Sequence, residues 1–452
     1  MDSRANVSDT LDLSAIFDEL YPLCRSITGS GTRRSLEIIG RHMPLEIVEV
    51  ESGTQVFDWT VPPQWEIESA TLTGPDGKTV VDFADHNLHV LNYSEPVDEK
   101  IELGELQKHL HSLPAMPDAI PYVTSYYAPK WGFCLTDRQR KTLKPGTYHA
   151  KIDSRKFKGH LTYGVAELKG ETDELVLITS YVCHPSLANN ELSGPLGLLS
   201  LYHKIAQWPK RRYTYRFLLI PETIGSICYL AAHGEELRQR LKGGAVLTCL
   251  GGHSKILNFK LTRADVLDQP YSVDHLARHL ADVDPQGWKV RQFTPTSGSD
   301  ERQFCSPGFN LPMVQIARTV YGQYDEYHTS LDTKEFMRIE RVEDAAVRIN
   351  QFFMAFDFEG QTLHNLSPNG EPNLGKRGLY PSTNSPLTWR LSSDTVFDAR
   401  QTLNQILQIL SYSDGNRDLR GIAEIVKAPV TQLVPVALQL ESHDLVQRGA
   451  RA

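Results

Sequence analysis

Three runs of almost unbroken apolar residues constrain this chain most: Leu175-Val176-Leu177-Ile178-Thr179-Ser180-Tyr181, Tyr215-Arg216-Phe217-Leu218-Leu219-Ile220 and Ala245-Val246-Leu247-Thr248-Cys249-Leu250. A strand that is apolar on both sides needs cover on both sides, which is the setting of a parallel sheet flanked by helices. The stretches that follow the first two runs, 194–207 and 226–241, have helical spacing. The alternation predicts an α/β domain over about 150–360 with a mainly parallel sheet. Ligands of such sheets sit beyond the carboxyl ends of the strands.

Around that domain the pattern changes. Residues 11–21 and 33–42 read as short amphipathic helices. Between 56 and 150 the chain is β-like and punctuated by proline, with Gly74-Pro75-Asp76-Gly77 as a hairpin turn between Ala70-Thr71-Leu72-Thr73 and Thr79-Val80-Val81-Asp82-Phe83. Residues 361–392 are rich in Asn, Pro, Gly and Ser and read as a surface linker. Helices are expected at 394–412, 417–426 and 429–440, followed by His443-Asp444-Leu445-Val446, the order of a winged helix. The expected domains are therefore 1–55 with 151–360, an insertion at 56–150, the linker 361–392 and a winged helix at 393–452.

Composition narrows the partners. With 452 residues, 40% hydrophobic and 23% charged, the chain can bury a sizeable core and is not a disordered polymer. Lys plus Arg is 47 against 55 for Asp plus Glu, a net charge of −8, which disfavours nucleic acid or an anionic membrane as the main partner. No apolar run reaches the roughly 18 residues of a membrane helix. Met1-Asp2-Ser3-Arg4 precedes no apolar stretch, so a cytoplasmic protein is expected. The six cysteines are scattered and read as reduced thiols, not as a zinc cage.

Each apolar run ends in residues that can bind metal or substrate. The first is followed by Cys183-His184-Pro185-Ser186-Leu187-Ala188-Asn189-Asn190-Glu191-Leu192-Ser193-Gly194, the second by Pro221-Glu222-Thr223-Ile224-Gly225-Ser226, the third by Gly251-Gly252-His253-Ser254. A fourth cluster is Tyr324-Asp325-Glu326-Tyr327-His328-Thr329-Ser330-Leu331-Asp332. Parallel strand ends converge, so two histidines and a carboxylate from separate ends can form an open zinc site.

These strings, with Gly298-Ser299-Asp300-Glu301-Arg302-Gln303-Phe304, resemble the bacterial aminopeptidase-like family associated with polysaccharide and natural-product biosynthesis. That family is a branch of the di-zinc aminopeptidase and carboxypeptidase superfamily. Ser26-Ile27-Thr28-Gly29, Asn87-Leu88-His89-Val90, Trp131-Gly132-Phe133-Cys134 and Gly375-Lys376-Arg377-Gly378-Leu379-Tyr380-Pro381 extend the likeness over nearly the whole chain. The resemblance implies a zinc-exopeptidase-like three-layer α/β/α domain, a small inserted β-rich domain and a C-terminal winged helix.

It also implies site roles. His184 is the first metal histidine and His328 the late one. Glu222 is either the general base or a ligand. Asp332 is expected to act in catalysis by orienting His328, with a capping role as the alternative. Ser299, Asp300, Arg318 and Tyr327 are expected to contact substrate; a plain turn at 298–300 and a structural ion pair at Arg318 are the rivals. Two positions depart from the pattern. The bridging Asp is Asn190, which leaves His184, Asn190, Glu222 and His328 as the ligand set, and the later Asp is Gly252. Glu191 or His253 would have to compensate. One zinc ion is therefore expected sooner than two.

The expected activity is hydrolysis of an amide bond in a small-molecule or peptide-like biosynthetic substrate. The alternatives are a silent relative that binds a ligand or partner through the old cleft, and a single-zinc acyl-transfer or amide-forming enzyme. DNA is disfavoured because Val430–Leu440, the candidate reading helix, has no Lys or Arg. Flat surfaces on the two extra domains suit a homo-oligomer.

Overall fold

The computed structural model describes residues 11–380 and 399–450, which form two compact units. The first runs up to Tyr271 and takes in Arg291–Val347; the second comprises Ser272–Val290 and the chain from Arg348 on.

In the first unit seven strands lie side by side in the order Glu46–Glu51, His160–Leu168, Thr214–Ile220, Leu175–Tyr181, Leu241–Leu247, Met313–Ala317 and Leu257–Lys260. Thr214–Ile220, Leu175–Tyr181, Leu241–Leu247 and Met313–Ala317 are mutually parallel, and the pairings outside them are antiparallel. Every residue of Leu175–Tyr181 and of Thr214–Ile220 is buried, which is why those runs are apolar on both faces. Helix Ile224–Arg240 packs with Leu175, Leu177, Leu218 and Ile220 on one face. The alternate residue Phe217 meets Tyr202 of helix Ser193–Ala206 at 5.2 Å on the other. These are the three layers expected.

The inserted region is a four-stranded antiparallel sheet in the order Thr79–Asp82, Gln64–Thr73, Thr147–Phe157, Val97–Glu102. The predicted hairpin turn is present, with Gly77 at φ 75° and its N–H donating to the Gly74 carbonyl at 3.0 Å. The insertion runs past the expected boundary at 150, because Thr147–Phe157 pairs with Gln64–Thr73 as far as Phe157.

The second unit contains the winged helix. Helices Ala399–Tyr412, Leu419–Val426 and Val430–Ser442 accompany a sheet ordered Asp414–Asp418, Gln361–Asn365, Val446–Ala450. Residues 361–365, expected to open a linker, are the central strand, paired antiparallel on both sides. Residues 381–398, which hold the rest of that linker and the expected helix start at 394, lie outside the described residues. Val430–Ser442 buries Val430, Leu433, Val434, Val436, Ala437 and Leu440. Its exposed positions, Gln432, Pro435, Gln439 and Ser442, carry no charge. Among the described residues no helix is long and apolar enough to cross a membrane.

Candidate metal centre

The first apolar strand ends at Tyr181, and the chain runs on through His184 and turns at Ser186 (φ 46°) into a wide turn, Ala188–Leu192, and helix Ser193–Ala206. Asp332 holds that turn. Its two carboxylate oxygens accept the N–H groups of Asn189 at 2.7 Å and Asn190 at 2.8 Å. The carboxylate thus satisfies orphan donors at the head of a helix.

His184 is buried. Its Nδ1 lies 2.7 Å from Glu191 Oε2, and its Nε2 lies 3.6 Å from Glu222 Oε2. Glu191 is in turn 3.8 Å from the Arg25 guanidinium, and both side chains are fully buried. Arg25 Nε also donates to the His184 carbonyl at 2.8 Å. Burial lowers the proton affinity of His184, yet the Cys183 sulfur and Glu191 outweigh it and hold the ring well above the usual histidine range.

Glu222 follows the second strand and is aimed by its neighbours. Its N–H donates to Cys183 Sγ at 3.3 Å, and its Oε1 accepts from Ser299 Oγ at 2.6 Å. Thr223, at φ 65° and ψ −75°, donates its N–H to Asp300 Oδ1 at 2.8 Å. Burial, with the Glu222 charge nearby, pushes Asp300 up to about 8. His328 (φ 57°) completes the group. Its ring is 5.6 Å from the His184 ring and stacks on Tyr327 at 3.9 Å. Tyr122 stands 5.0 Å from the first ring and 5.1 Å from the second. Burial, then the charge on His184, lowers His328 to about 3, so its ring is neutral. Ser186, Thr223, Cys249 and His328 are all non-glycine residues at positive φ, and such backbone gathers where a site must be held in one geometry.

His184 Nε2 and Glu222 Oε2 stand 3.6 Å apart, a spacing that suits two ligands of one ion, and the His328 ring lies 5.6 Å from the His184 ring. His184 Nε2, Glu222 Oε2 and His328 are ligands of the right kind, and a carboxylate behind the first imidazole fixes its tautomer. Asn190 has a neutral side chain whose buried Nδ2 has no partner. Its backbone is clamped by Asp332 and by Tyr181 OH, which donates to its carbonyl at 2.8 Å. At Gly252 a Cβ would lie 1.8 Å from Thr319 Oγ1, so a carboxylate there requires Thr319 to move. Neither expected substitute helps. Glu191 is committed to His184 and Arg25, and His253 is exposed with its ring against Phe336 at 5.0 Å. Among the described residues, the three-donor group whose ligand atoms all come close to one another is Cys183, His184 and Glu191, and the Arg25 charge beside Glu191 opposes a cation there.

Four further expectations change. Arg318 is buried and donates to the carbonyls of Leu250, Ser254 and Arg341 and to Asp344, so it is a structural tie and not a substrate clamp. Asp300 is fully buried as a cap for Thr223. Ser299 is buried and donates to Glu222, not to the cleft, which leaves Tyr327 as the half-buried member of the expected substrate set. Asp332, expected to orient His328, has its oxygens on backbone N–H groups of the turn after His184. Burial pushes its carboxyl up to about 7. The folded state therefore favours the protonated acid, and this contribution to stability, complete below about 4, is lost as pH rises through 7. Urea midpoints should fall from pH 5 to pH 8, and Asp332→Asn should flatten that fall.

Arg25, Tyr122 and the orienting role of Glu191 were not legible in the sequence. Arg25 sits just before Ser26-Ile27-Thr28-Gly29, and a lone Arg carries no spacing signal; only its burial shows its role.

Two family models, one relative and two solved structures place the chain among known proteins. The family model of a domain of unknown function, DUF4910, matches residues 14–358, and a winged helix-turn-helix family matches 361–448. A Clostridium acetobutylicum protein, provisionally named for polysaccharide biosynthesis and an aminopeptidase-like domain, is 41% identical over 408 residues, 90% of this chain and 89% of its own. The crystal structure of a protein from the same species, provisionally described as a peptidase, superposes with a TM-score of 0.83 at 37% identity, covering 97% of this chain and 96% of the other. A zinc aminopeptidase from Bacillus subtilis shares the fold at 14% identity and a TM-score of 0.55, over 75% of this chain and 92% of its own.

Proposed function

Because the chain belongs to the aminopeptidase-like DUF4910 family, we propose that it is a one-zinc hydrolase of amide bonds in a small biosynthetic substrate. One observation carries this reading: His184 is held from behind by Glu191 at 2.7 Å while its other nitrogen faces Glu222 at 3.6 Å. The naming of the C. acetobutylicum relative supports a biosynthetic substrate over folded protein.

His184, Glu222 and His328 would hold the ion, which when bound supplies a Lewis acid for the scissile carbonyl and lowers the pKa of water. The chain does the rest. Glu191 accepts the His184 Nδ1–H at 2.7 Å, so that an ion displacing the proton on Nε2 would meet that nitrogen's lone pair toward the cleft. Burial keeps His328 neutral and able to donate its own. Tyr122 and Tyr327 flank the histidines and limit water. Asn190, with a buried and unpartnered Nδ2, is the donor suited to a carbonyl oxygen gaining negative charge. The partner is a small-molecule or peptide-like substrate in the cytoplasm, not nucleic acid or membrane.

A silent ligand-binding relative is the second reading, favoured by Asn190 and by the closed space at Gly252. Four strained residues around three competent donors weigh against it. A single-zinc acyl-transfer enzyme would use the same ligands. Inductively coupled plasma mass spectrometry on tag-free protein should find close to one zinc per chain, and almost none in His328→Ala. Absence of metal after zinc is added back would sink the hydrolase and leave the silent binder.

A further inference from the structure

The Glu222 side chain is 28% exposed, and a free carboxylate at a strand end would rotate. The loop that touches it is anchored far more strongly than a surface turn requires. Lys260, at the end of strand Leu257–Lys260, has a fully buried ammonium bonded to the carbonyls of Thr294 and Ser297 and, at 2.8 Å, to Glu301 Oε1. The other Glu301 oxygen accepts from Gln315 Nε2 at 2.9 Å and from the Ser299 N–H at 2.9 Å. Gly298 must be glycine, since a Cβ there would lie 2.0 Å from Glu301 Oε1 and 2.5 Å from Lys260 Nζ. Lys260 and Gln315 stand on neighbouring strands, so the loop is tied to the sheet through a buried ion pair. A buried pair of this kind has little slack, because displacing either partner leaves an uncompensated charge.

The two residues between this anchor and Glu222 both act on the Glu222 segment. Ser299 Oγ donates to Glu222 Oε1 at 2.6 Å, and Asp300 Oδ1 accepts the Thr223 N–H at 2.8 Å. The first contact fixes the carboxylate and the second fixes the backbone that carries it. The oxygen left over, Oε2, faces His184 Nε2.

We infer that Ser299, anchored by the buried Lys260–Glu301 pair, is a positioning residue that engages Glu222 Oε1 so that Oε2 alone is offered to the ion. This rests on the one-ion reading above and assigns Glu222 as a ligand, not a base. Partners behind a ligand commonly control metal affinity by about 10–100-fold.

The test uses the full chain, stripped of metal and titrated with Co²⁺ while its visible absorption is followed. Ser299→Ala is expected to weaken Co²⁺ binding by about tenfold or more and to alter the absorption band. Ser299→Thr, which keeps the hydroxyl, should restore both, and metal-free Ser299→Ala should melt close to wild type. A crystal structure of metal-free Ser299→Ala should show the Glu222 carboxylate turned away from His184. Unchanged affinity and band in Ser299→Ala, or an unmoved Glu222, would overturn the inference. Should wild type take up no Co²⁺ at all, the one-ion reading fails by itself, and the metal-free crystal structure still decides whether Ser299 positions Glu222.

Discussion

Replacing Arg25 with Met is expected to destabilise the first unit by about 3–5 kcal/mol, because it strands Glu191 as a buried charge. The Arg25 and Glu191 side chains are both fully buried, 3.8 Å apart, and Arg25 also bonds the carbonyl of His184. The alternative partner for Glu191 is His184, whose Nδ1 it already holds. Losing Arg25 therefore leaves one carboxylate to be neutralised by the imidazole alone, in a region closed to water. Replacing Glu191 with Gln in the same chain removes the stranded charge and should recover a good part of the loss. The coupling between the two sites, read as the difference between the double variant and the summed singles, should exceed about 1 kcal/mol. The check is the denaturant midpoint of the first unfolding transition, since a chain of two units need not unfold in one step. Equal losses in the single and double variants would show that Arg25 acts through packing and not through Glu191. Zinc content separates the roles again: the double variant should be folded yet bind metal weakly, because a neutral amide in place of the Glu191 carboxylate would hold His184 less firmly.

This network also marks where sequence reasoning stops. The strands at 175–181 and 214–220 were legible because burial on both faces leaves no polar positions. The hairpin at 74–77 was legible because its turn demands particular residues. His184, Glu222 and His328 were singled out through the strand ends and the family resemblance; Glu222 Oε2 lies 3.6 Å from His184 Nε2, and the two imidazole rings are 5.6 Å apart. The strand 361–365 was missed because Gln361-Thr362-Leu363-His364-Asn365 has little apolar content and opens an Asn- and Pro-rich stretch. Its partners lie about fifty and eighty-five residues further on, and such pairing has no local signal. Arg318, Asp300, Asp332 and Ser299 were read as site residues by type and neighbourhood. Their chemistry depends on burial: an Arg with its guanidinium enclosed by carbonyls cannot clamp a substrate, and an Asp bonded to two backbone N–H groups is a cap. Residue type in a motif names what a side chain can do, and only its surroundings say which of those things it does.

Putting the two missing carboxylates back should not rebuild a two-ion centre. Asn190→Asp adds a negative charge beside a site that already offers His184 and Glu222, so it should tighten binding of one ion, by about tenfold if it ligates. Gly252→Asp is a different case. Its Cβ would stand 1.8 Å from Thr319 Oγ1 and 2.6 Å from Thr319 Cβ. Thr319 cannot easily retreat, because its N–H donates to the Cys249 carbonyl at 3.1 Å, at a residue already held at φ 50°. Overpacking of this kind costs about 1–3 kcal/mol, and the new carboxylate would in addition be forced away from the cleft. The expected outcome is a lower melting temperature for Gly252→Asp, partly recovered by Thr319→Ala. Zinc in Asn190→Asp/Gly252→Asp should stay at one per chain or below by mass spectrometry. Two zincs per chain would mean that the Thr319 side chain yields and that the second site is merely undercharged. The distinction bears on mechanism. A site that lacks only charge could be refilled by a single substitution, whereas a site whose space is taken by another side chain has been replaced by packing. In the second case restoring charge alone would leave the metal count of the double variant unchanged.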